Sequence, residues 1–403
     1  MTKRSALWAV LLLALFLRLG WGLSRPATDG AVDALPDQRE YLSIAQNILG
    51  GHGIQFFDPR FGQNVYAYRM PGYPLFVALC GGSVRAVRLA QALLDTSTVL
   101  AVFLLSKRLL NGGIDAFPAS LFAAALVAIN PFLIYFSGLI LSETLFIAML
   151  TWGMVLLVGP DSAHSKPPGV PWFCGALLLV LSIYARPSAL GLPVILAAGA
   201  MALGRRGWMG PVLIFLLTCV ALLPWAARNA RPDVLGRWIW GTTNAGITAY
   251  DGWNFHANGG SDQTFVREMP ELRSMNEVQR SDYLGALARQ FVVAHPGRSV
   301  ELAAMKFLRI WSPMPLSEQF GSAAYRGIAL LYVVPFDLLV LAGLIRGKLA
   351  RPAKVFLLIP AIYLTAVHVA SVGSLRYLLP AVGPMAVLAG SLIPGMRRQT
   401  GRI

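Results

Sequence analysis

The sequence predicts an all-α polytopic membrane protein, with about ten spanning helices, amphipathic helices in a first outer loop and a mostly helical outer segment. Three observations predict the membrane class. Of the 403 residues, 56% are hydrophobic and only 13% are charged, where a soluble domain carries about 25% charged residues. The mean hydropathy is +0.59. Apolar runs of spanning length recur along the chain, bounded by charge, Pro or Gly. The net charge is +15. Its Lys and Arg sit mostly in short loops between apolar runs, not on one soluble face, which speaks against a nucleic-acid partner. Cys80, Cys174 and Cys219 lie in apolar runs and the five histidines are scattered. Neither pattern suggests disulfides or a metal site.

A spanning helix needs about 20 mostly apolar residues. By that measure spans fall at 5–23, 86–106, 116–136, 139–158, 172–185, 187–203, 209–226, 326–345, 354–371 and 376–395. The first begins like a signal peptide, with Lys3-Arg4 before its apolar core. No clean cleavage site follows, so it reads as a retained span. The fifth and sixth are short and flank Arg186-Pro187, as in one interrupted hairpin. Residues 72–82 (GYPLFVALCGG) are too short to cross and read as re-entrant or interfacial.

Placing Lys3 and Arg4 in the cytoplasm orients the rest. Lys107/Arg108, Lys166, Arg205/Arg206, Arg346/Lys348/Arg351/Lys354 and Arg397/Arg398/Arg402 then share that side, as the positive-inside rule requires. Both termini are cytoplasmic on this reading. The chain divides into an N-terminal transmembrane module at 1–226, with a first outer loop at 24–71, an outer segment at 227–325 and C-terminal helices at 326–403.

The stretch Asp37-Gln-Arg-Glu-Tyr-Leu-Ser-Ile-Ala-Gln-Asn-Ile-Leu49 opens an amphipathic helix whose stripe holds Tyr41, Ile44, Ala45, Ile48 and Leu49. Asp37 reads either as an N-cap, with Glu40 completing a capping box, or as an acid–base group. Arg69 precedes a Pro/Gly turn. It reads either as an interfacial arginine snorkelling to lipid phosphate or as a fork for a ligand phosphate. Glu143 opens the fourth span, where the helix dipole favours a carboxylate. Arg186, Arg228 and Arg376 stand at outer ends of spans, which the positive-inside rule disfavours.

Asp37, Arg69, Glu143, Arg186, Arg228 and Arg376 thus come from distant sequence but one membrane depth. Charges there are costly and tend to be paired, solvated or functional. Together they suggest a site for an anionic lipid head group with an acid–base residue beside it. Asp95 and Asp337 lie deeper in spans, where each reads as a structural partner for an arginine. In the outer segment, Gly241–Gly260 reads as a loop and Glu277–Ala294 as a helix stopped by His295-Pro296. Trp238, Trp240, Tyr250 and Trp253 read as interfacial anchors or as platforms for sugar faces.

Five motifs in order resemble the GT-C superfamily of membrane glycosyltransferases, over most of the chain. The likeness is to the protein O-mannosyltransferase and aminoarabinose transferase group, with the bacterial glycosyltransferase family 39 proteins. They are Asp37-Gln-Arg-Glu-Tyr41, Arg69-Met-Pro-Gly-Tyr-Pro74, Asn130-Pro-Phe-Leu-Ile-Tyr135 with Ser142-Glu143, Leu223-Pro-Trp225 with Arg228-Asn229 and Thr243-Asn-Ala-Gly246, and Arg376-Tyr-Leu-Leu-Pro380. Gln38 departs from the acidic second residue common in that group, which weakens a metal site there.

The resemblance implies transfer of a sugar from a polyprenyl-phosphate donor to a lipid, glycan or protein acceptor. The reaction would run at the outer face of a bacterial inner membrane by inverting single displacement. The resemblance implies Asp37 as the first choice of base and Glu143 as the second. It implies Arg69, Arg228 and Arg376 as phosphate ligands and Tyr41 as the residue that positions aspartate or phosphate. No cofactor is expected, and a divalent metal is left open without being indicated by the motifs. The rival readings are a transporter or flippase of lipid-linked sugars, or a lipid-linked oligosaccharide polymerase or ligase. The absence of an internal repeat in the sequence disfavours the transporter.

Overall fold

The computed structural model describes residues 2–110, 114–159, 169–204, 209–316, 322–394 and 396–397. Lys166, Arg205, Arg206, Arg398 and Arg402 lie outside the described residues. Helices occupy each predicted apolar position. The chain runs α1 (Lys3–Ser24), α2 (Asp29–Asp33), α3 (Pro36–Leu49), a hairpin of β1 (Phe56–Asp58) and β2 (Gln63–Val65), α4 (Gly72–Leu79), α5 (Val84–Leu109), α6 (Phe117–Ala128), α7 (Pro131–Ser137), α8 (Glu143–Val158), α9 (Val170–Ala185) and α10 (Leu192–Ala202). It continues through α11 (Met209–Ala230), α12 (Asn244–Gly252), α13 (Phe265–Glu268), α14 (Glu277–Ala294), α15 (Pro296–Ile310), α16 (Ala323–Arg346), α17 (Arg351–Val369) and α18 (Val382–Gly390).

Among the described residues, α1, α5, α11, α16 and α17 are each long and apolar enough to cross a membrane, and α6 with α7 makes a sixth if the bent pair is one span. At the remaining four predicted positions the apolar helices are shorter, at 10–17 residues. The chain is an integral membrane protein; five or six of its spans meet the length and composition test, and a count of ten would take in the four shorter apolar helices.

Local chemistry explains several departures from straight spans. The predicted 116–136 span bends by 54° between α6 and α7. Pro131 lacks the N–H a continuous helix would use, and Asn130 instead caps α7 by accepting from the amides of Phe132 and Leu133 at 2.9 and 3.0 Å. Arg186 is extended, at φ −146° and ψ 114°. Pro187 disfavours helix at the residue before it, so α9 ends there and a 3-10 turn follows at Pro187–Ala189. The interruption sets Arg186 at a helix end instead of within a span.

Arg18 interrupts α1 yet is fully buried. Its Nε donates to Asp95 of α5 at 2.6 Å, and its remaining nitrogens donate to the carbonyls of Ala14, Val127 and Ala128. Asp95 therefore has the structural arginine partner its sequence position suggests. No ion pair of Asp337 is seen among the described residues.

Residues 24–71 and 227–316 pack together over one end of the bundle, called here the loop end. The hairpin pairs Phe56 with Val65 in antiparallel register, and Phe56 and Val65 share a second core with Ile44, Ile247 and Leu284. The segment read as a loop, 241–260, contains α12. Gly246 makes that helix possible, because a Cβ there would stand 1.9 Å from the Ser281 carbonyl oxygen of α14. The predicted helix at Glu277–Ala294 is α14, with a full capping box between Asn276 and Gln279. A further helix, α15, follows directly at Pro296. The 72–82 segment is the short helix α4. Its Gly72 touches the Tyr184 backbone of α9, where a Cβ would lie 2.6 Å from the Tyr184 carbonyl. That close approach sets the turn after Arg69 against the helix end that carries Arg186.

Candidate functional site

Asp37 is the second residue of α3, and the helix is preceded by Leu35 in the cap position with Pro36 at its start. Asp37 is thus not an N-cap, and it makes no capping box with Glu40. Its carboxylate turns to arginines instead. Oδ1 accepts from Arg69 Nη2 at 2.6 Å and Oδ2 from Arg376 Nη2 at 3.2 Å. Glu40, one turn on along the same face, accepts from Arg69 Nε at 2.7 Å and from Arg60 Nη2 at 3.2 Å. Glu143, at the start of α8 and 3% exposed, lies 3.2 Å from Arg186 Nη1 and 3.6 Å from Arg376 Nε.

These contacts form one ladder of alternating charge: Arg60, Glu40, Arg69, Asp37, Arg376, Glu143, Arg186. Its four arginines face the three carboxylates of Asp37, Glu40 and Glu143, and Arg60 also pairs with Asp58 at 2.7 Å, so the ladder with Asp58 is balanced. Partial burial pushes the Asp37 carboxyl up, but Arg69 and Arg376 outweigh it and hold it well below the usual carboxylate range. Burial pushes Glu40 up and Arg69 opposes it, while the neighbouring Asp37 charge adds to the rise, and the net shift is upward. The two carboxylates on one helix face therefore differ in character. Asp37 stays ionised, and Glu40 holds a proton more readily.

Tyr41 is buried between this ladder and the bundle. The Arg69 guanidinium lies 5.4 Å from its ring centroid, and its ring meets Tyr73 edge-on. Tyr377 sits between the two arginines at the other end, 5.5 Å from Arg186 and 5.2 Å from Arg376. His368, in the last turn of α17, stacks on Tyr377 at 3.8 Å with the rings parallel to 2°. Its Nδ1 is buried and has no hydrogen-bond partner among the described residues.

Of the sequence-derived candidates, the structure brings together Asp37, Tyr41, Arg69, Glu143, Arg186 and Arg376. It does not bring Arg228 into the ladder. The Arg228 guanidinium donates to the carbonyls of Tyr66 at 2.8 Å and Ile54 at 2.6 Å. Both terminal nitrogens are thereby taken up by the backbone that leads to Arg69. Glu277 holds the same backbone from the other side, accepting from Tyr66 N at 2.8 Å and from Thr243 Oγ1 at 2.8 Å. Gln38 explains its own departure from an acidic residue. Its amide donates to the Val32 carbonyl at 3.0 Å and accepts from Ile140 N at 2.9 Å. A carboxylate could not supply that donor.

Sequence reasoning passed over Glu40 as a charge partner, and over Arg60, Tyr377 and His368. His368 was within reach of the membrane-depth argument had it been applied to histidines as well as to arginines and acids. Trp238 and Trp240 stack on each other at 6.2 Å and are about half exposed. Tyr250 packs on Phe265, and Trp253 donates to the Ala370 carbonyl at 2.8 Å. Among the described residues, no three His, Cys, Asp or Glu side chains gather as metal ligands would.

No family model matches the chain, and no curated protein matches it by sequence. Its structure is similar to that of the archaeal oligosaccharyltransferase AglB from Archaeoglobus fulgidus, solved with an inhibitory peptide and a dolichol-phosphate. The TM-score is 0.55 at 12% identity, over 96% of this chain and 50% of that one. The Archaeoglobus fulgidus oligosaccharyltransferase tethered with an acceptor peptide containing the NVT sequon matches at a TM-score of 0.55 and 14% identity, over 96% and 49%. ArnT from Cupriavidus metallidurans, bound to undecaprenyl phosphate, gives a TM-score of 0.42 at 16% identity, below the level at which a likeness carries weight. The chain spans about half the length of the oligosaccharyltransferases it matches. At such identities the likeness is one of fold, and the fold this chain carries is similar to that of these archaeal oligosaccharyltransferases.

Proposed function

We propose that the chain transfers a glycosyl group from a polyprenyl-phosphate donor to a lipid, glycan or protein hydroxyl, with the loop end on the outer face of a bacterial inner membrane. The observation that carries this reading is the Asp37 carboxylate held between Arg69 and Arg376. A base must lie beside the group that leaves, and the leaving group is a phosphate. Each ladder arginine already faces a carboxylate, so an incoming phosphate competes with a carboxylate for its arginine. Arg376 and Arg186 turn to the donor phosphate, and Asp37 Oδ2 is released as the proton acceptor.

The acceptor oxygen then attacks the anomeric carbon as its proton passes to Asp37. The bond from that carbon to the phosphate oxygen breaks, and the carbon inverts. The phosphate leaves with its growing charge met by the two guanidiniums, a preorganised electrostatic role. Glu143 keeps Arg186 and Arg376 in place and is the second candidate base. Tyr41, under Arg69, fixes the angle of α3. Arg228 braces the Arg69 turn and does not meet the phosphate.

Topology supports the orientation. Lys107 and Arg108 close α5, Arg346 closes α16 and Arg351 opens α17. All lie at helix ends opposite to the ladder, and Arg108 donates to Val155 at the far end of α8. With ten crossings, the short helices included, both termini are cytoplasmic. The transmembrane module at 1–226, the outer segment at 227–325 and the helices at 326–403 then enclose one site.

Thermal unfolding of the detergent-solubilised protein tests the binding half. A short-chain polyprenyl phosphate should raise the unfolding temperature of the wild type by mass action, and Arg376→Ala and Arg186→Ala should lose that rise. A rise that persists in both variants overturns the phosphate assignment.

A further inference from the structure

Helix α15 is built inside out for a helix in water. Its protein-facing side holds Ser299, Leu302, Lys306 and Ile310, all buried, with Lys306 fully so. Its opposite side holds Val300 at 71% exposure, Ala304, Phe307 at 47% and Leu308 at 67%. The exposed positions follow the i, i+4, i+7, i+8 spacing of one helical stripe. A surface helix in water turns such a stripe to the core and its lysine outward. Here the lysine is hidden over the Trp253 ring, 3.2 Å from its centroid, while Val300 and Leu308 stay largely exposed and Phe307, half exposed, tilts against Trp311 of the same segment.

The depth of α15 says what covers the stripe. Trp311, the residue after the helix, donates to Thr365 Oγ1 of α17 at 3.2 Å. Thr365 lies four residues inside the end of α17 at Val369, about 6 Å at 1.5 Å per residue. Ile310 and Trp311 also line a cavity with Tyr332 and Phe336 of α16. These lie nine and thirteen residues from the start of α16 at Ala323, about 14 and 20 Å along that helix. The C-terminal end of α15 therefore sits below the loop-end limit of two spanning helices. On α16, which shares that cavity, Leu331 is 80% and Leu338 61% exposed, so this spanning helix also turns apolar side chains outward. The Arg298–Glu301 pair marks its first turns, and in its last turn Phe307-Leu308 precede Arg309, whose Nε donates back to the Asn258 carbonyl at 3.0 Å.

We propose that α15 is an interfacial helix whose Val300, Ala304, Phe307 and Leu308 stripe is seated in the lipid bilayer at the loop end, with its C-terminal end the deeper. Lipid covers the stripe. The seating also fixes the depth of the ladder. Gly373 packs against the Lys306 backbone so closely that a Cβ would stand 2.6 Å from its carbonyl oxygen, and Gly373 N donates to Gly259 at 2.8 Å. The 3-10 turn that carries Arg376 begins two residues later. The bilayer thus sets the level of α15, and α15 sets the level of Arg376.

Spin labels on the full chain in proteoliposomes test the seating. Cys80, Cys174 and Cys219 are replaced by Ala, and single cysteines are placed at Leu308, Phe307 and Val300. Leu338→Cys gives the lipid-facing reference and Glu271→Cys, at an exposed site of the outer segment, the water reference. Collision with oxygen relative to a water-soluble nickel complex should be several-fold higher at Leu308 and Phe307 than at Glu271, close to Leu338, and intermediate at Val300. Nickel access at Leu308 equal to that at Glu271 overturns the proposal. So does exclusion of both reagents at all three sites, which would place a second copy or another protein on the stripe.

Discussion

Asp37 is held by two guanidiniums, and that contact governs what the residue can do. Its folded-state pKa is depressed by Arg69 and Arg376 against the opposing effect of burial. The stability these contacts give is therefore present above the usual carboxylate range, and it is lost only as pH falls through the depressed value. The same shift appears in kinetics, since kcat/KM reports the free enzyme. The acid limb of kcat/KM should lie below about pH 4, the ordinary aspartate range. A limb between pH 5 and 7 would mean that another group is the base. Asp37→Asn should lower transfer by about 10²- to 10⁴-fold, the usual contribution of a general base, with donor-induced thermal stabilisation retained. Arg228→Ala should behave differently. It leaves the carbonyls of Ile54 and Tyr66 without donors, at about 1–3 kcal/mol each where they are buried. The unfolding temperature should fall while kcat is largely kept, and a kcat loss matching that of Arg376→Ala would return Arg228 to the site. Membrane depth made most of these residues legible, because an arginine at an outer helix end needs a reason to be there. Depth did not separate Arg228 from the others. Distinguishing a guanidinium aimed at carbonyls from one aimed at a carboxylate takes side-chain geometry.

Buried charge inside elements carries the next predictions. The Arg18–Asp95 pair joins α1 to α5 with no exposure at Arg18. Asp95→Leu alone strands a buried guanidinium and should cost about 3–5 kcal/mol, whereas Arg18→Met with Asp95→Leu should recover most of that loss. Chemical unfolding of the two variants distinguishes the cases, and equal losses in both would contradict the pairing argument. Lys306 in α15 gives a pH signature. Burial lowers its pKa from 10.5 to about 7, with Asp251 opposing the shift. The unfolded chain then binds more protons than the folded one between pH 7 and 10.5, so folding stability should rise with pH across that window. Lys306→Met should flatten the rise, and an unchanged slope would show that Lys306 stays charged. Elements were legible where period and punctuation agreed. The boundaries of α14 follow from Asn276 at one end and His295-Pro296 at the other. The bend at Asn130-Pro131 and the helix α12 were not, since one is a single Asn-Pro break inside a long apolar run and the other a short helix held by the Gly246 contact with α14. The β1–β2 hairpin likewise depends on burial of Phe56 and Val65 against α12 and α14, which no local pattern records.

At the scale of the molecule, the loop end gathers the 24–71 segment, the start of α8, the end of α9 and the turn after α17 around one ladder of charge. The bundle beneath it is similar in fold to oligosaccharyltransferases about twice its length. The claim that this site transfers sugars from a lipid carrier is tested most directly by turnover. Purified protein in liposomes is given radiolabelled polyprenyl-phosphate sugars with membrane-derived acceptors. Release of free polyprenyl phosphate and labelling of acceptor are followed together with movement of donor across the bilayer. The account predicts protein-dependent donor consumption and acceptor labelling, both lost in Asp37→Asn and Arg376→Ala. Intact donor that crosses the bilayer in a protein-dependent way, with no polyprenyl phosphate released, would contradict it.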